Sequence, residues 1–76
     1  MKIVVNGEER EIESGTTLGQ LVSLLDLAQD RLAIELNRRI LRKKEWDSTE
    51  LNEADAIEIV SFVGGGDIDH QAFNAS

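Results

Sequence analysis

Residues 55–66 read DAIEIVSFVGGG, and this stretch decides the fold. Segment 56–63 alternates two sets of side chains, as a strand does: Ile57, Ile59 and Ser61 against Glu58, Val60 and Phe62. Three successive glycines have no side chains to pack and lose the most backbone entropy when ordered, so the strand stops before Gly64. We expect residues 64–66 to form a flexible, extended segment, called the terminal arm below.

The beginning of the chain predicts a β-hairpin. Residues 2–5 are mostly apolar and β-branched, and Asn6-Gly7 is the dipeptide that most readily adopts the positive φ angles of a tight turn. Residues 9–13 then form the return strand. Because Ile12 is its main apolar residue, we expect this strand at an edge of the sheet or with one face in water.

One amphipathic helix follows. Thr17 and Gln20 have the spacing of a capping box, which marks a helix start. The apolar residues after the cap are predicted to share one side of the helix: Leu18, Leu21, Val22, Leu24 and Leu25.

The middle of the chain predicts two more strands. Residues 31–36 alternate in the strand manner, and Asn37-Arg38 turns the chain toward a short strand at 40–41. A lone Trp46 among charged residues is predicted to anchor the core, because one ring without convergent polar groups makes no pocket.

This order of elements is typical of an α+β, β-grasp domain. One main helix packs on one face of a mixed sheet of four to five strands. Residues 1–63 form the domain, and residues 64–76 form the terminal arm and a C-terminal tail.

Composition excludes several classes of function. The net charge of −7, from 15 acids and 8 bases, disfavours nucleic acid as a partner. No apolar stretch is long enough to span a bilayer, and residues 1–10 lack the apolar region of a signal peptide, so the cytoplasm is the expected location. With no cysteine, disulfides, zinc thiolates and cysteine nucleophiles are absent.

Three other groups of charged side chains are weaker indicators of function. Asp67, Asp69 and His70 could ligate a metal, but a mobile tail offers no fixed geometry, and no metal site is predicted. The basic run Arg38, Arg39, Arg42, Lys43 and Lys44 is either a solvated turn or a docking surface. Acids near the last strand, Glu50, Glu53, Asp55 and Glu58, are placed to steer a basic partner toward the terminal arm.

Several segments, taken in order, resemble the ThiS family of sulfur carriers of thiamine thiazole biosynthesis. The matching segments are residues 55–66, Ile3-Val4-Val5-Asn6-Gly7, Thr17-Leu18 with Leu21-Val22, residues 33–37, and Trp46 after a basic turn. The resemblance covers residues 1–66 and implies a ubiquitin-like β-grasp fold.

The resemblance also implies a function in which this chain is a carrier and not an enzyme. An ATP-dependent ThiF-type adenylyltransferase activates the carboxylate of Gly66, which is then converted to a thiocarboxylate. Gly64 and Gly65 thread into the partner, and Phe62 and Val63 contact it. The sulfur comes from a sulfurtransferase, a cysteine desulfurase or the activating enzyme, and goes to the thiazole synthase ThiG. No cofactor is bound by the carrier itself.

Residues 67–76 depart from the family pattern, which stops at the glycines. Gly66 therefore has no free carboxylate in this sequence. Three explanations stay open: a protease trims the tail, the tail is of artificial origin, or it is permanent and the carrier chemistry has been lost.

Alternative functions share parts of this pattern. The small subunit of molybdopterin synthase has the same fold and glycine terminus. A ubiquitin-like protein modifier would form an isopeptide bond instead of receiving sulfur. In a non-catalytic interaction module, the glycines would be only a linker.

Overall fold

The computed structural model describes residues 1–61 of the 76. In chain order, the elements are strands β1 (Lys2–Val5) and β2 (Glu8–Glu11), helix α1 (Leu18–Leu24), a 3-10 turn (Gln29–Arg31), strands β3 (Leu32–Leu36) and β4 (Arg39–Leu41), helix α2 (Lys43–Trp46) and strand β5 (Ala56–Ser61). The five strands form one sheet in the order β2-β1-β5-β3-β4. β1 and β5 run parallel, and the other neighbours are antiparallel. The predicted mixed sheet with one main helix is confirmed.

The first hairpin has the predicted turn and a shifted return strand. Asn6 and Gly7 have φ angles of 50° and 82°, as a two-residue turn requires. That turn pairs Val5 directly with Glu8, so β2 begins one residue before the predicted start and ends two residues before the predicted end. All four residues of β2 are exposed at the sheet edge, as expected.

Helix α1 begins at the predicted cap. Thr17 Oγ1 accepts from the Gln20 amide at 3.1 Å, and Gln20 Oε1 accepts from the Thr17 amide at 2.9 Å. The prediction that five apolar residues share one side is wrong for Leu24, which is 71% exposed. At about 100° per residue, Leu24 lies about 110° from the centre of the buried side, on which Leu18 and Leu21 lie.

Gly19 in the first turn of α1 packs closely against Asp47, the residue that follows α2. A Cβ atom on Gly19 would collide with Asp47 Oδ1 and would lie 3.1 Å from Asp47 Cγ and 3.3 Å from its Cα. The absence of a side chain therefore lets the segment after α2 pack against the first turn of α1.

The second hairpin is also as predicted, with small changes in its bounds. Asn37 and Arg38 have φ angles of 51° and 72° and make another two-residue turn. β3 begins at Leu32 and not at Arg31, because the amide of Arg31 closes a 3-10 turn on the carbonyl of Ala28 at 3.1 Å.

Trp46 anchors the core, as predicted. Its side chain is 3% exposed, and Nε1 donates to the carbonyl of Leu41 at 3.3 Å. It lies at the end of α2, a single helical turn that the sequence analysis did not predict, because four residues show no periodicity. The buried apolar residues form one cluster: Ile3, Val5, Leu18, Leu21, Val22, Ile34, Leu41, Trp46, Leu51, Ile57 and Ile59.

A buried carboxylate organises the start of β5. Asp55 is 9% exposed, and its two oxygens accept from Asn37 Nδ2 at 2.9 Å and from the Asn52 amide at 2.7 Å. Asn37 Oδ1 in turn accepts from the Ala56 amide at 2.9 Å. The turn before β5 is thus tied to the turn between β3 and β4.

We predict that Asp55→Ala lowers the free energy of unfolding by about 1–3 kcal/mol, because it leaves the Asn52 amide and the Asn37 side chain without their acceptor. Urea unfolding followed by the fluorescence of Trp46, the single tryptophan, measures this loss. Glu13→Ala is the matched control, since Glu13 is exposed and its carboxylate accepts no hydrogen bond from another described residue. An equal loss in both variants would contradict the assigned role of Asp55.

We predict that Gly19→Ala destabilises the protein by about 1–3 kcal/mol, because the added methyl group overpacks the contact with Asp47. Helix propensity alone would favour alanine by about 1 kcal/mol, so the sign of the change separates the two effects. Introducing the same change into an Asp47→Ala background removes the colliding atoms and should reduce the loss. A stabilising effect of Gly19→Ala in the unaltered background would show that this contact imposes no constraint.

Candidate functional site

The residues predicted to carry the function lie outside the described part of the chain. These are Phe62, Val63, Gly64, Gly65 and Gly66. The structure describes β5, to which they are attached. Five residues separate Ser61 from the end of the terminal arm, and such a segment spans at most about 18 Å. Any reaction at Gly66 therefore occurs within this distance of the end of β5.

The last described part of β5 is held from both sides. On one side, β3 pairs with it, with Leu32 opposite Ser61. On the other side, β1 ends at Val5, and the side chain of Asn6 takes the place of the next strand residue. Asn6 Oδ1 accepts from the Ile59 amide at 2.7 Å, and Asn6 Nδ2 donates to the Ile59 carbonyl at 3.1 Å.

Sequence analysis assigned Asn6 to a turn and missed this second role. The Asn-Gly dipeptide indicates backbone geometry, and nothing local indicates a contact with a residue 53 positions away. A prediction that β1 pairs in parallel with β5 would have been the available signal for this contact.

A groove lies beside the end of β5. It has a volume of about 440 Å³ and includes the apolar side chains of Leu25, Leu27 and Ile59. Glu8 and Arg10 of β2 line it as well. The chain thus leaves β5 next to an apolar surface with charged groups on one side.

The outer face of the sheet, away from α1, combines small apolar residues with a pair of acids. Val60 is half-buried opposite Ala33, and Glu58 lies directly opposite Glu35. Like charges in this position repel each other, and neither carboxylate has a described ion-pair partner. This face therefore presents concentrated negative charge close to the end of β5.

The four acids predicted to steer a partner differ in their surroundings. Glu50 and Glu58 are exposed. Glu53 is also exposed, but its Oε1 accepts from the amide of Lys2 at 3.1 Å. Asp55 is buried within the fold, so it is a structural residue and the steering role predicted for it is wrong.

The basic run forms one edge of the sheet. Arg38, Arg39 and Arg42 are exposed in and around β4, and Lys43 and Lys44 are exposed on α2. None of the five lies within ion-pair distance of a carboxylate in residues 1–61. Ile40, 56% exposed, lies between them. The arrangement fits both the solvated turn and the docking surface left open above.

Within residues 1–61, no group of three or more His, Cys, Asp or Glu side chains is placed to hold a metal ion. The tail residues Asp67, Asp69 and His70 lie outside this range. No helix in the described part of the chain is long and apolar enough to cross a membrane.

Comparison with known proteins gives a family match and several named relatives. The model of the ThiS family matches residues 3–66. The sulfur carrier protein ThiS of Bacillus subtilis is 35% identical over 63 residues, which cover 82% of this chain and 96% of that protein. A thiazole synthase of Paramagnetospirillum magneticum is 34% identical over all 76 residues. The match thus continues past the three glycines.

The chain spans about a quarter of that thiazole synthase. In a thiazole synthase of Magnetococcus marinus, 41% identity over 66 residues corresponds to 20% of the protein. In these two relatives, the similar region is therefore one part of a longer polypeptide.

A solved structure agrees with the fold. The crystal structure of the thiamine biosynthesis protein ThiS from Geobacter metallireducens superimposes with a TM-score of 0.75 at 32% identity, covering 87% of this chain and all of that one. The ubiquitin-like β-grasp fold expected from the sequence is thereby confirmed. With a family match that spans residues 3–66 and ends at the last of the three glycines, the chain belongs to the ThiS family.

Proposed function

We propose that this protein is a sulfur carrier in thiamine thiazole biosynthesis and that Gly66 carries the sulfur. The family match ending at Gly66 is the observation that carries this proposal. Two relatives named sulfur carrier protein ThiS support it, because the chain covers 96% of the one from Bacillus subtilis and 100% of the one from Escherichia coli. The carrier is a substrate of other enzymes and not itself an enzyme.

The proposed chemistry begins with activation of a carboxylate, which by itself resists nucleophiles. In a ThiF-type adenylyltransferase, the Gly66 carboxylate attacks ATP, pyrophosphate leaves, and an acyl-adenylate forms. A sulfur nucleophile then attacks the carbonyl carbon and displaces AMP. If the donor is a persulfide, a thiol must reduce the resulting acyl disulfide to the thiocarboxylate. ATP is therefore a substrate of the partner and not a cofactor of this chain.

The sulfur must come from another protein, because this chain has no cysteine. A sulfurtransferase or a cysteine desulfurase is the proposed donor. Thiazole synthase is the proposed acceptor, and two relatives named thiazole synthase contain a region similar to this chain. A carrier-like region in the same polypeptide as the synthase has a high effective concentration at the synthase active site. This supports thiazole synthase as the partner of the carrier.

The proposed roles of the terminal segment follow from its composition. Gly64 and Gly65 have no Cβ atoms, so a channel too narrow for side chains admits them. Phe62 and Val63 precede the terminal arm, where an enzyme that receives the glycines would bury apolar side chains. The exposed acids proposed to steer the partner are Glu50, Glu53 and Glu58.

The proposed chemistry requires that residues 67–76 be removed. Adenylation needs a free carboxylate on Gly66, so we propose that the chain is cleaved after this residue before activation, and a trimming protease is then a further partner. A chain ending at Gly66 keeps every described residue. It also has the length over which the complete Geobacter protein is matched.

The alternative functions have less support. The named relatives refer to thiamine and thiazole chemistry, and none of them refers to molybdopterin synthase or to a protein modifier. A non-catalytic interaction module would leave the family match through Gly66 without a role.

We predict that a chain ending at Gly66 supports ATP–pyrophosphate exchange by a ThiF-type enzyme, whereas the 76-residue chain gives only background exchange. Adding a sulfur donor should then yield a product in which sulfur replaces one carboxyl oxygen, as seen by intact mass. The full-length chain is the matched control, since both share residues 1–66. Equal exchange with both chains would contradict the need for cleavage, and no exchange with the shorter chain would contradict the carrier function.

We predict that electrostatic steering speeds association with the ThiF-type enzyme. Raising the salt concentration from about 0.05 M to about 0.5 M should lower the association rate about tenfold. Stopped-flow measurements should show a weaker salt dependence for Glu58→Gln than for Glu13→Gln, which removes the same charge between β2 and α1. An association rate that does not depend on salt would show that the acids near β5 do not steer the partner.

A further inference from the structure

Asn6 contacts β5 in a way that the turn itself does not require. Its backbone amide donates to the Ile57 carbonyl at 2.8 Å, which is the last backbone bond from the β1 side. Its side chain then pairs with both the amide and the carbonyl of Ile59, at 2.7 and 3.1 Å. The side-chain amide thus imitates one more strand residue and extends the parallel pairing two residues along β5.

The choice of residue is informative, because several residues fit the turn. Positive φ angles at both central positions suit Asn, Asp and Gly. Of these three, only the amide side chain of Asn both accepts and donates; an ionised carboxylate only accepts, and glycine has no side chain to do either. The turn explains the small polar residue, and the contact with Ile59 explains the amide.

The contact between Asn6 and Ile59 lies near the end of β5, a few residues before the terminal arm in the sequence. Ile59 is two residues from Ser61, and Ser61 is five residues from Gly66. An extended strand held on one side only bends more easily than one held on both sides. The Asn6 side chain therefore holds β5 from the β1 side at Ile59, two residues before the described part of the chain ends.

We propose that Asn6 is a positioning residue that aims the terminal arm at the active site of the activating enzyme. This inference rests on the proposed carrier function. Without the Asn6 contact, the folded domain would still present Gly66, but over a wider range of directions. More conformational freedom would then be lost on binding, so KM rises while kcat for adenylation changes little.

Asn37 provides a matched control at the opposite end of β5. It also forms a two-residue turn, and its side chain also makes two hydrogen bonds, to Asp55 Oδ1 and the Ala56 amide, both at 2.9 Å. Asn37→Gly therefore removes a comparable contact at the start of β5, far along the strand from the terminal arm.

The test compares Asn6→Gly and Asn37→Gly in the chain ending at Gly66, with ThiF-type enzyme and ATP, at a temperature where circular dichroism shows each variant folded. We expect KM to rise about tenfold for Asn6→Gly, because ordering about one more residue on binding costs about this much. For Asn37→Gly we expect less than a twofold change. Equal KM values for both variants would overturn the proposal.

Asn6→Asp tests whether this contact holds β5 in solution. When ionised, the aspartate still accepts from the Ile59 amide, but its second oxygen faces the Ile59 carbonyl. When protonated, it donates to that carbonyl and restores the pairing. Hydrogen exchange of the Ile59 amide, corrected for the intrinsic rate, should therefore slow as the pH falls through the titration of this carboxyl group.

In the described residues, the charged groups beside this position are Glu58, which precedes Ile59 on β5, and Glu8 and Arg10 of β2. From α1 and the loop after it, Leu25 and Leu27 line the groove. The unaltered chain and Asn6→Gly contain the same charged neighbours, so both serve as controls for the titration of those neighbours. If the Ile59 amide in Asn6→Asp exchanged with the same pH dependence as in the two controls, the proposal would be overturned. If the unaltered chain ending at Gly66 is itself not adenylated, the carrier function fails, whatever the exchange data show.

Discussion

The fold depends on the pairing of β5 with strands on both of its sides. β1 lies parallel to it and β3 antiparallel, so the sheet has no continuous centre without this strand. Ile57 and Ile59 bring its inner face into the core. Two asparagine side chains complete its hydrogen bonding where the neighbouring strands turn away, Asn37 at its start and Asn6 near its end.

The described residues contain a packed core and charged sheet edges, and residues 62–66 continue from the central strand. In the proposed carrier function, the domain contributes position and accessibility, while the partner enzymes contribute the catalytic groups. The acidic outer face around Glu58 and the basic edge at β4 give the domain two electrically distinct sides.

Local signals predicted the elements, and tertiary contacts decided the details. The positive-φ turn at Asn6-Gly7 and the cap at Thr17 depend on neighbouring residues, so the sequence identified both. Leu24 was misplaced because the helix ends there and its side chain points away from the sheet. The burial of Asp55 depends on partners that are distant in sequence, such as Asn37. The site residues 62–66 were predicted from a glycine run and a resemblance; they lie outside the described residues, so they stay a prediction.

The position of β5 also has a consequence for synthesis on the ribosome. The central strand is the last element that the structure describes, so a nascent chain that has not yet released residue 61 lacks the strand that joins β1 to β3. Contacts between segments more than fifty residues apart, such as Val4 with Ala56, close only at that stage. The cooperative core and the attachment point of the terminal arm therefore form together, and an incomplete chain presents neither to a partner.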